Sequence, residues 1–297
     1  MRKIQQIGFI GLGVMGEPMC RNLARKAGVP VLAFDLAKEP LERLATEGVK
    51  SAASPAQVMD QCDVVFLSLP SGEIVAKLAR DADGLLAHAS ADQIVIDLST
   101  SAVDSTRALA AEFEARQAHL VDAPVARTRA AAEAGTLAVM VGASPALFER
   151  VRPLIATFAS DIALCGPVGC GQVLKILNNM VLFETVVAVS EAKAIGERAG
   201  VDPTVLFNTL SMGSADSFAL RNHGMKAVLP GEFPERAFSV RYAQKDLHYA
   251  LQLARQTGVD ARGAQVVDGW FNAAIEAGKG ENYHPVISTL MAAPGKR

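Results

Sequence analysis

Three glycines and an aspartate near the amino terminus form the pattern with the most definite chemistry. Gly11, Gly13 and Gly16 lie between a short apolar run and a helical stretch, and Asp35 ends the next apolar run. In such a pattern the first glycine permits a tight turn and the second lets an anion approach the backbone. The third lets helix and strand pack closely. The N–H groups at the start of the helix then favour a diphosphate.

An acidic residue roughly 20 positions after such glycines accepts hydrogen bonds from ribose hydroxyls, which completes the pattern of a dinucleotide site. Asp35 stands at this separation, and its carboxylate would repel the 2′-phosphate of NADP. We therefore predict NAD, rather than NADP, as the cofactor. The alternative is a glycine-rich turn that binds no ligand. The predicted contacts in this segment are Gly11, Leu12, Gly13, Val14, Met15, Gly16 and Asp35.

The four cysteines and five histidines form no metal-binding or nucleophile pattern. Cys165 and Cys170 are close in sequence, but no histidine lies near them, and structural zinc requires four nitrogen or sulfur ligands. We therefore expect no metal site. The cysteines are interpreted as small apolar side chains in a reducing compartment, the cytoplasm.

The first half of the chain alternates short apolar runs with helical stretches, which is typical of a mainly parallel sheet with helices on both faces, as in a Rossmann-type α/β domain. The predicted strands are Ile4–Ile10, Val31–Phe34, Val64–Leu69, Ile94–Ile96, Leu120–Val121, Leu137–Val141 and Asp161–Leu164. The predicted helices are Glu17–Lys26, Leu41–Glu47, Ser105–Arg116 and Pro145–Thr157.

The pattern changes after Gly166. Residues 171–199 contain no proline and repeat apolar residues at helical spacing, which predicts a helix on the order of 40 Å long. Helical segments follow, with no strand signal of comparable strength. We predict a Rossmann domain over residues 1–167 and an all-α carboxyl-terminal domain over residues 168–297, opened by this long interdomain helix.

Composition excludes several classes of protein. The 297 residues are 50% hydrophobic, with a formal net charge of −2, so no polybasic surface is expected for nucleic acid or an anionic membrane. We found no apolar run near the roughly 20 residues of a membrane span. The apolar residues 7–15 follow Arg2 and Lys3 as in a signal peptide, but glycines and Glu17 interrupt them, so we expect mature structure.

Four segments, residues 8–16, 122–125, 171–179 and 245–247, resemble the β-hydroxyacid dehydrogenase family, which includes 3-hydroxyisobutyrate dehydrogenase. The resemblance extends over nearly the whole chain. It implies an NAD-dependent oxidoreductase that interconverts a small anionic 3-hydroxy acid, or hydroxy sulfonate, and its aldehyde.

The resemblance implies that Lys175 is the catalytic acid/base. Moving a hydride to or from a carbinol carbon requires a proton to move at the oxygen, and an ammonium aimed at that oxygen stabilises the developing alkoxide. Asn178 and Asn179 lie one helical turn later on nearly the same face, where an amide can hold the substrate. The alternative is a surface lysine followed by two asparagines inside a helix.

Further cofactor contacts implied by the resemblance are Leu69, Pro70, Thr100 and Lys245. The first three follow apolar runs, at strand ends where open α/β sheets bind ligands. Lys245 belongs to the helical half, so we expect an active site in a cleft between the domains. The alternative for Lys245 is a solvated helix lysine paired with Asp246.

The substrate loop departs from the family pattern. Most members carry Ser-Gly-Gly where this chain has Ala126, Arg127 and Thr128, and the change adds a fixed cation suited to bidentate anion recognition. This loop resembles that of the sulfolactaldehyde reductase branch, so carboxylate and sulfonate head groups both remain open. The alternative for Arg127 is a solvent-facing loop arginine.

Other functions remain as alternatives. They are 3-hydroxyisobutyrate or tartronate semialdehyde specificity, an imine reductase, and a non-catalytic nucleotide-binding module. Lys175 favours oxidation or reduction at a C–O bond over the reaction of an imine reductase. Its presence also favours an enzyme over a non-catalytic nucleotide-binding module. We also expect a homodimer or homotetramer, because a long helix rich in alanine and valine often buries an apolar face against another subunit.

Overall fold

The computed structural model describes residues 3–235 and 237–291, and the chain divides into two units. The first unit is Met1–Lys175 and the second is Ile176–Arg297. One long helix contains the division, since it begins at Cys170 and ends at Arg198.

The first unit is built on a nine-stranded sheet in which six strands run parallel. The strand order is β3-β2-β1-β4-β5-β6-β8-β7, with β9 beside β8. The strands are β1 Ile7–Ile10, β2 Val31–Phe34, β3 Lys50–Ser51, β4 Val64–Leu67, β5 Ile94–Asp97, β6 His119–Asp122, β7 Val125–Ala126, β8 Leu137–Gly142 and β9 Ala159–Gly166. Strand β8 runs antiparallel to β6 and β7 and parallel to β9. The prediction of a mainly parallel sheet is confirmed.

Helices cover both faces of this sheet. They are α1 Gly16–Lys26, α2 Lys38–Ala45, α3 Pro55–Gln61, α4 Gly72–Arg80, α5 Val103–Glu114, α6 Arg129–Ala134 and α7 Pro145–Ile155. Serine side chains begin several of them. Ser54 and Ser144 accept hydrogen bonds from the N–H groups of Gln57 and Leu147, and each is followed by a proline at the start of the helix, where a missing N–H costs nothing.

The central strands are apolar throughout because both of their faces are buried. Every residue of β1, β4 and β5 is buried. Alternate side chains enter two different cores: Phe9 and Phe66 belong to one cluster, with ring centroids 5.9 Å apart, while Val65 and Leu67 belong to the other. The continuous apolar runs of the sequence therefore match a doubly covered parallel sheet.

The long helix α8 spans Cys170–Arg198, 29 residues, so the predicted helix over residues 171–199 is confirmed. The second unit is helical over its described residues, with two isolated β-bridges there and no strand. After α8 come α9 Pro203–Met212, a π-helix Leu220–Val228, α10 Val240–Thr257, α11 Arg262–Glu276 and a 3₁₀-helix His284–Leu290. The prediction of an all-α second half is confirmed.

Aromatic rings form the centre of the second unit. Phe183 of α8 contacts Phe238, Phe271 and His284, with ring centroids 5.2–5.6 Å apart. Such tilted and edge-on contacts are the favoured arrangements of aromatic rings. They fix the middle of α8 to the helices that follow it.

By length and composition alone, α8 could cross a membrane, with a mean hydropathy of 1.5 over an 18-residue window. Charged and polar residues divide its apolar positions, so its sequence contains no unbroken apolar run of that length. Its buried residues Phe183, Val186, Val187 and Val189 belong to the cores of the second unit. Core packing therefore accounts for part of this apolar composition.

Candidate functional site

Two glycines of the amino-terminal pattern are required by packing. Gly11 has φ +94°, and a side chain there would meet the carbonyl of Ser68. A side chain at Gly16 would meet the carbonyl of Gly11. Both positions therefore need glycine to form the turn between β1 and α1.

Gly13 differs, because a Cβ atom added there would have no heavy atom within 4 Å. Packing does not require glycine at this position. An open place on the backbone, beside the first turn of a helix, is what a diphosphate needs in order to approach the N–H groups. The loop therefore fits the dinucleotide that the sequence predicts.

Asp35 lies beside this loop, just beyond β2. Its Oδ2 accepts a hydrogen bond from the Leu12 N–H at 2.5 Å, and its Oδ1 accepts from the Ala37 N–H at 2.7 Å. Each carboxylate oxygen has a second lone pair for another donor. Asp35 thus shapes the glycine loop and keeps acceptor capacity for ribose hydroxyls.

The other predicted nucleotide contacts of the first unit follow neighbouring strands. Leu69 and Pro70 follow β4, and Thr100 follows β5, where it is buried. In the glycine loop Val14 is 58% exposed, whereas Met15 packs against the core. The carboxyl ends of β1, β2, β4 and β5 therefore share one edge of the sheet, where such folds bind ligands.

A buried polar network crosses this edge. The Gln172 side chain donates to the Ser99 carbonyl at 2.8 Å and accepts from the Ser101 N–H at 3.0 Å. Asp97 accepts from the Ser99 N–H at 2.9 Å and from the Ser101 hydroxyl at 3.1 Å. The first turn of α8 is thus bonded to the segment that carries Thr100.

Asp122, the last residue of β6, holds the start of the same helix. Its fully buried carboxylate accepts from the Gly169 N–H at 2.7 Å and from the Gln172 N–H at 2.8 Å. Gly142 and Gly171 pack so closely on it that a side chain at either would collide with the carboxylate. Asp122 begins the motif at residues 122–125, and no role was predicted for it, although a carboxylate that ends a buried strand was a usable signal.

Burial raises the pKa of Asp122 from 3.8 to about 6, although the two N–H donors oppose the rise. The charge of Asp97 adds to it. The carboxylate is therefore mostly ionised at neutral pH, the state in which it accepts both hydrogen bonds and complements the positive end of the helix dipole.

Arg127 of the predicted substrate loop has a left-handed backbone conformation, and its side chain makes three polar contacts. Its φ is +87°, a left-handed conformation that favours glycine. The guanidinium pairs with Asp161 at 2.8 Å and donates to the Thr136 carbonyl at 2.6 Å and the Ser160 hydroxyl at 3.0 Å. Its side chain remains 38% exposed.

The two residues beside it have structural contacts of their own. Ala126 lies in β7, paired with Ala138 of β8. The Thr128 hydroxyl accepts from the Ala131 N–H at 3.4 Å, at the start of α6. The loop is thus fixed at its edges by a strand and a short helix.

Lys175 is half-buried on α8, three residues before Asn178. Asn178 is exposed and donates to the Asn179 side-chain carbonyl at 3.1 Å. Asn179 is buried and donates to Asp246 at 2.7 Å. The two asparagines therefore have different environments, which their adjacency in sequence does not reveal.

Lys245 of α10 lies in the second unit, 2.9 Å from the buried carboxylate of Asp246. Its ammonium also lies over two aromatic rings, 4.5 Å from the centroid of Tyr242 and 5.2 Å from that of Tyr249. The pairing with Asp246, which was the alternative for Lys245, is present together with cation–π contacts. The role of Lys245 as a cofactor contact stays a prediction.

Comparison with known families agrees with this architecture. Residues 6–166 match the model described as the NAD binding domain of 6-phosphogluconate dehydrogenase. Residues 169–290 match the model described as NAD-binding of NADP-dependent 3-hydroxyisobutyrate dehydrogenase. The fold and the site define an NAD-binding oxidoreductase with a Rossmann-type sheet and a helical second half.

Individual relatives narrow this class. The chain is 37% identical to 3-hydroxyisobutyrate dehydrogenase of Pseudomonas aeruginosa, covering 84% of this chain and 85% of the relative. It is 34% identical to 2-(hydroxymethyl)glutarate dehydrogenase of Eubacterium barkeri, with 87% and 85% covered. The structure of Mycobacterium tuberculosis 3-hydroxyisobutyrate dehydrogenase with L-serine has a TM-score of 0.88 at 30% identity, with 98% of this chain and all of that one covered.

The chain therefore belongs to the β-hydroxyacid dehydrogenase family, as the sequence motifs indicated. It is a dehydrogenase or reductase that acts on a CH–OH group with NAD as cofactor.

Gly13→Ala tests whether the open loop position serves the cofactor. We expect the affinity for NADH, measured by fluorescence titration, to fall at least about tenfold, because the methyl group occupies the approach to the backbone. Unfolding in urea should change little. Gly269→Ala is the matched control, since a side chain there also meets open space. Unchanged NADH affinity in Gly13→Ala would contradict the assignment.

Asp122 should make the stability of the fold depend on pH. Between its ordinary pKa of 3.8 and the folded value of about 6, the folded chain binds a proton that the unfolded chain has lost. Stability from this group is therefore greatest below pH 3.8 and is lost as the pH rises through about 6. A rise in the pKa from 3.8 to about 6 corresponds to on the order of 3 kcal/mol.

Asp122→Asn removes this titration. The free energy of unfolding of the wild type, minus that of the variant, should decrease as the pH is raised from 4 to 7. Urea denaturation of both proteins at a series of pH values measures this difference in the free energy of unfolding. A difference that stays constant over this range would show that the pKa of Asp122 is not raised.

Proposed function

We propose that the protein interconverts a small anionic 3-hydroxy acid, or hydroxy sulfonate, and its aldehyde, with Lys175 as the acid/base. The observation that carries this proposal is the anchoring of the first turn of α8. Asp122 and Gln172 bond this turn to the strand ends that bear the predicted cofactor loops. Lys175 follows Gln172 by three residues on the same helix.

NAD supplies the hydride chemistry when it is bound. The ammonium of Lys175 stabilises the negative charge that develops on the substrate oxygen and delivers a proton to it during reduction. During oxidation the neutral amine accepts that proton. Glycine-loop N–H groups hold the diphosphate, and Asp35 accepts hydrogen bonds from the ribose.

The environments of the asparagines suggest separate roles. Asn178 is exposed, so a small acid can reach its amide, and we assign it to substrate binding. Asn179 is buried between Asn178 and Asp246, so we assign it to holding Asn178 in place. These contacts of Asn179 support an indirect role for that residue in substrate binding.

Asp35 supports a preference for NAD over NADP. Its carboxylate already accepts two backbone hydrogen bonds, which hold the negative charge where the 2′-phosphate of NADP would lie. The ratio of kcat/KM with NAD to that with NADP measures this preference, and a ratio below one would exclude it.

Arg127 supports an anionic head group in the substrate. Arginine suits planar, bidentate recognition of oxyanions, and the exposed part of its guanidinium leaves room for a second acceptor beside Asp161. The resemblance of the loop to sulfolactaldehyde reductase extends the candidates from carboxylates to sulfonates.

The second candidate is a substrate of the 3-hydroxyisobutyrate or tartronate semialdehyde type, bound without Arg127. The ion pair with Asp161 favours it, because a neutralised guanidinium attracts an anion less strongly. In that case the backbone of the loop, rather than its cation, binds the carboxylate.

We further propose that the protein works in the cytoplasm as a homodimer or homotetramer. Its four cysteines are unpaired thiols, which suits a reducing compartment. Val181 and Ile195 of α8 are more than half exposed, and a second copy would cover them. Light scattering tests the assembly against the 31.3 kDa of one chain.

Lys175→Ala tests the acid/base role. We expect kcat to fall by about 10²–10⁴-fold, the usual contribution of a positioned acid/base, while NADH affinity and stability change little. Lys193→Ala is the control, because Lys193 lies on the same helix but pairs with Glu197. Turnover close to that of the wild type in Lys175→Ala would exclude the assignment.

Arg127→Gly separates the two candidate substrates. A panel of 3-sulfolactaldehyde, succinic semialdehyde, 3-hydroxyisobutyrate and L-serine first identifies the preferred substrate. If Arg127 binds its head group, kcat/KM should fall about 10–100-fold, the equivalent of one charge-assisted hydrogen bond. Arg129→Ala, at a neighbouring arginine that pairs with Glu133, should change little. Equal rates for Arg127→Gly and wild type would favour the second candidate.

A further inference from the structure

We propose that Asp122 and Gln172 are positioning residues for Lys175, an inference that rests on the proposed function. They fix the first turn of α8 at the carboxyl ends of β5 and β6, so that the ammonium has one position relative to the cofactor and substrate loops of the first unit.

Asp122 fixes where the helix begins. Its two oxygens accept from N–H groups three residues apart, at Gly169 and Gln172, so the carboxylate bridges the opening turn. The close approach of Gly142 and Gly171 removes the space into which this carboxylate could move. A shift of the helix start would break a charge-assisted bond inside the core, where such bonds are strong.

Gln172 fixes the rotation of the helix about its axis. Its side chain is fully buried, and both ends of the amide are bonded, one to Ser99 and one to Ser101. Any turn of α8 would break one of these bonds. Lys175 lies three residues later, on the neighbouring part of the same face, so its direction follows that of Gln172.

Asp122 also begins the segment that leads to the substrate loop. Asp122 precedes Ala126 by four residues, and Ala123 donates to the Asp97 carbonyl at 2.7 Å, which holds the start of that segment. One network of short hydrogen bonds, which includes Asp122 and Gln172, therefore joins the cofactor segment, the start of the substrate segment and the lysine-bearing turn, and serves as their anchor. A displacement of about 1 Å at reacting groups can cost about 10²-fold in rate. Loss of this anchor should therefore lower kcat more than it weakens the binding of NADH.

The fold contains matched controls at the amino-terminal ends of β4 and β5. Asp63 is also buried and also accepts from two backbone N–H groups, those of Gln5 at 2.6 Å and Gln6 at 3.1 Å. Gln93 is also fully buried, and its amide donates to the Met59 and Cys62 carbonyls, each at 2.7 Å. The hydrogen bonds of these residues join segments of the first unit at the strand ends opposite to those that are bonded to α8.

The experiment compares Asp122→Asn with Asp63→Asn, and Gln172→Met with Gln93→Met, in the full-length protein. Urea denaturation gives the folded fraction, so that kcat can be expressed per folded molecule; KM needs no such correction. We expect all four variants to lose stability. Asp122→Asn and Gln172→Met should in addition lose at least about tenfold in kcat, with KM for NADH and NADH affinity within about threefold of the wild type.

Hydrogen exchange of the cofactor-free protein gives a second readout. Amides of residues 169–175 should exchange faster in Asp122→Asn and Gln172→Met, and at the wild-type rate in the two controls. If Asp122→Asn does not fold, the Gln172→Met pair decides the question.

Equal kcat per folded molecule in each variant and its control would overturn the proposal, since the residues would then serve stability alone. A raised KM with unchanged kcat would overturn it as well. Failure of the proposed function is separate, because it appears as normal turnover in Lys175→Ala.

Discussion

The burial of the Asp122 charge is the constraint on which the rest of the first unit's chemistry depends. A carboxylate removed from water is costly unless donors replace its solvent, and here two N–H groups at the start of α8 offset part of that cost. The exchange satisfies orphan donors of the helix and the buried charge at once. It works only at close range, which explains why Gly142 and Gly171 carry no side chain against it.

The burial of Asp122 against the start of α8 brings different parts of the chain to the same edge of the sheet. Strand ends supply the glycine loop with Asp35, the segment that carries Thr100, and the loop around Arg127. The first turn of α8 is bonded to the same edge through Gln172. Residues more than 70 positions apart in sequence are thus joined directly by short hydrogen bonds. The rigid sheet fixes the position of each.

The features that sequence predicted well are those with local causes. Continuous apolar runs marked β2 to within a residue, and the glycine pattern marked the turn after β1, because periodicity and backbone freedom are properties of neighbouring residues. The strands β3 and β7 and the helices α3, α4 and α6 received no assignment. Two-residue strands and the six or seven residues of α6 and α3 carry little periodic signal, whereas the nine residues of α4 are amphipathic and were missed. The partners of Arg127 lie 9 and more residues away across β8 and β9, and no spacing rule could indicate them. Asn178 and Asn179 were grouped together for the same reason, because only tertiary contacts distinguish the exposed amide from the buried one.

Arg127 shows how a loop can keep its shape while its chemistry changes. The family pattern has a glycine at this place, and the chain retains the left-handed backbone with φ +87°, which costs a residue with a side chain about 1–2 kcal/mol. The two hydrogen bonds and the partly exposed ion pair of the guanidinium offset a cost of that size. The contacts that hold the guanidinium in place therefore also offset the cost of the left-handed backbone. The loop can present a cation while it keeps the backbone conformation that favours glycine. Any anion that binds Arg127 must share the guanidinium with Asp161, and such sharing favours a head group with several acceptor oxygens over one with a single oxygen.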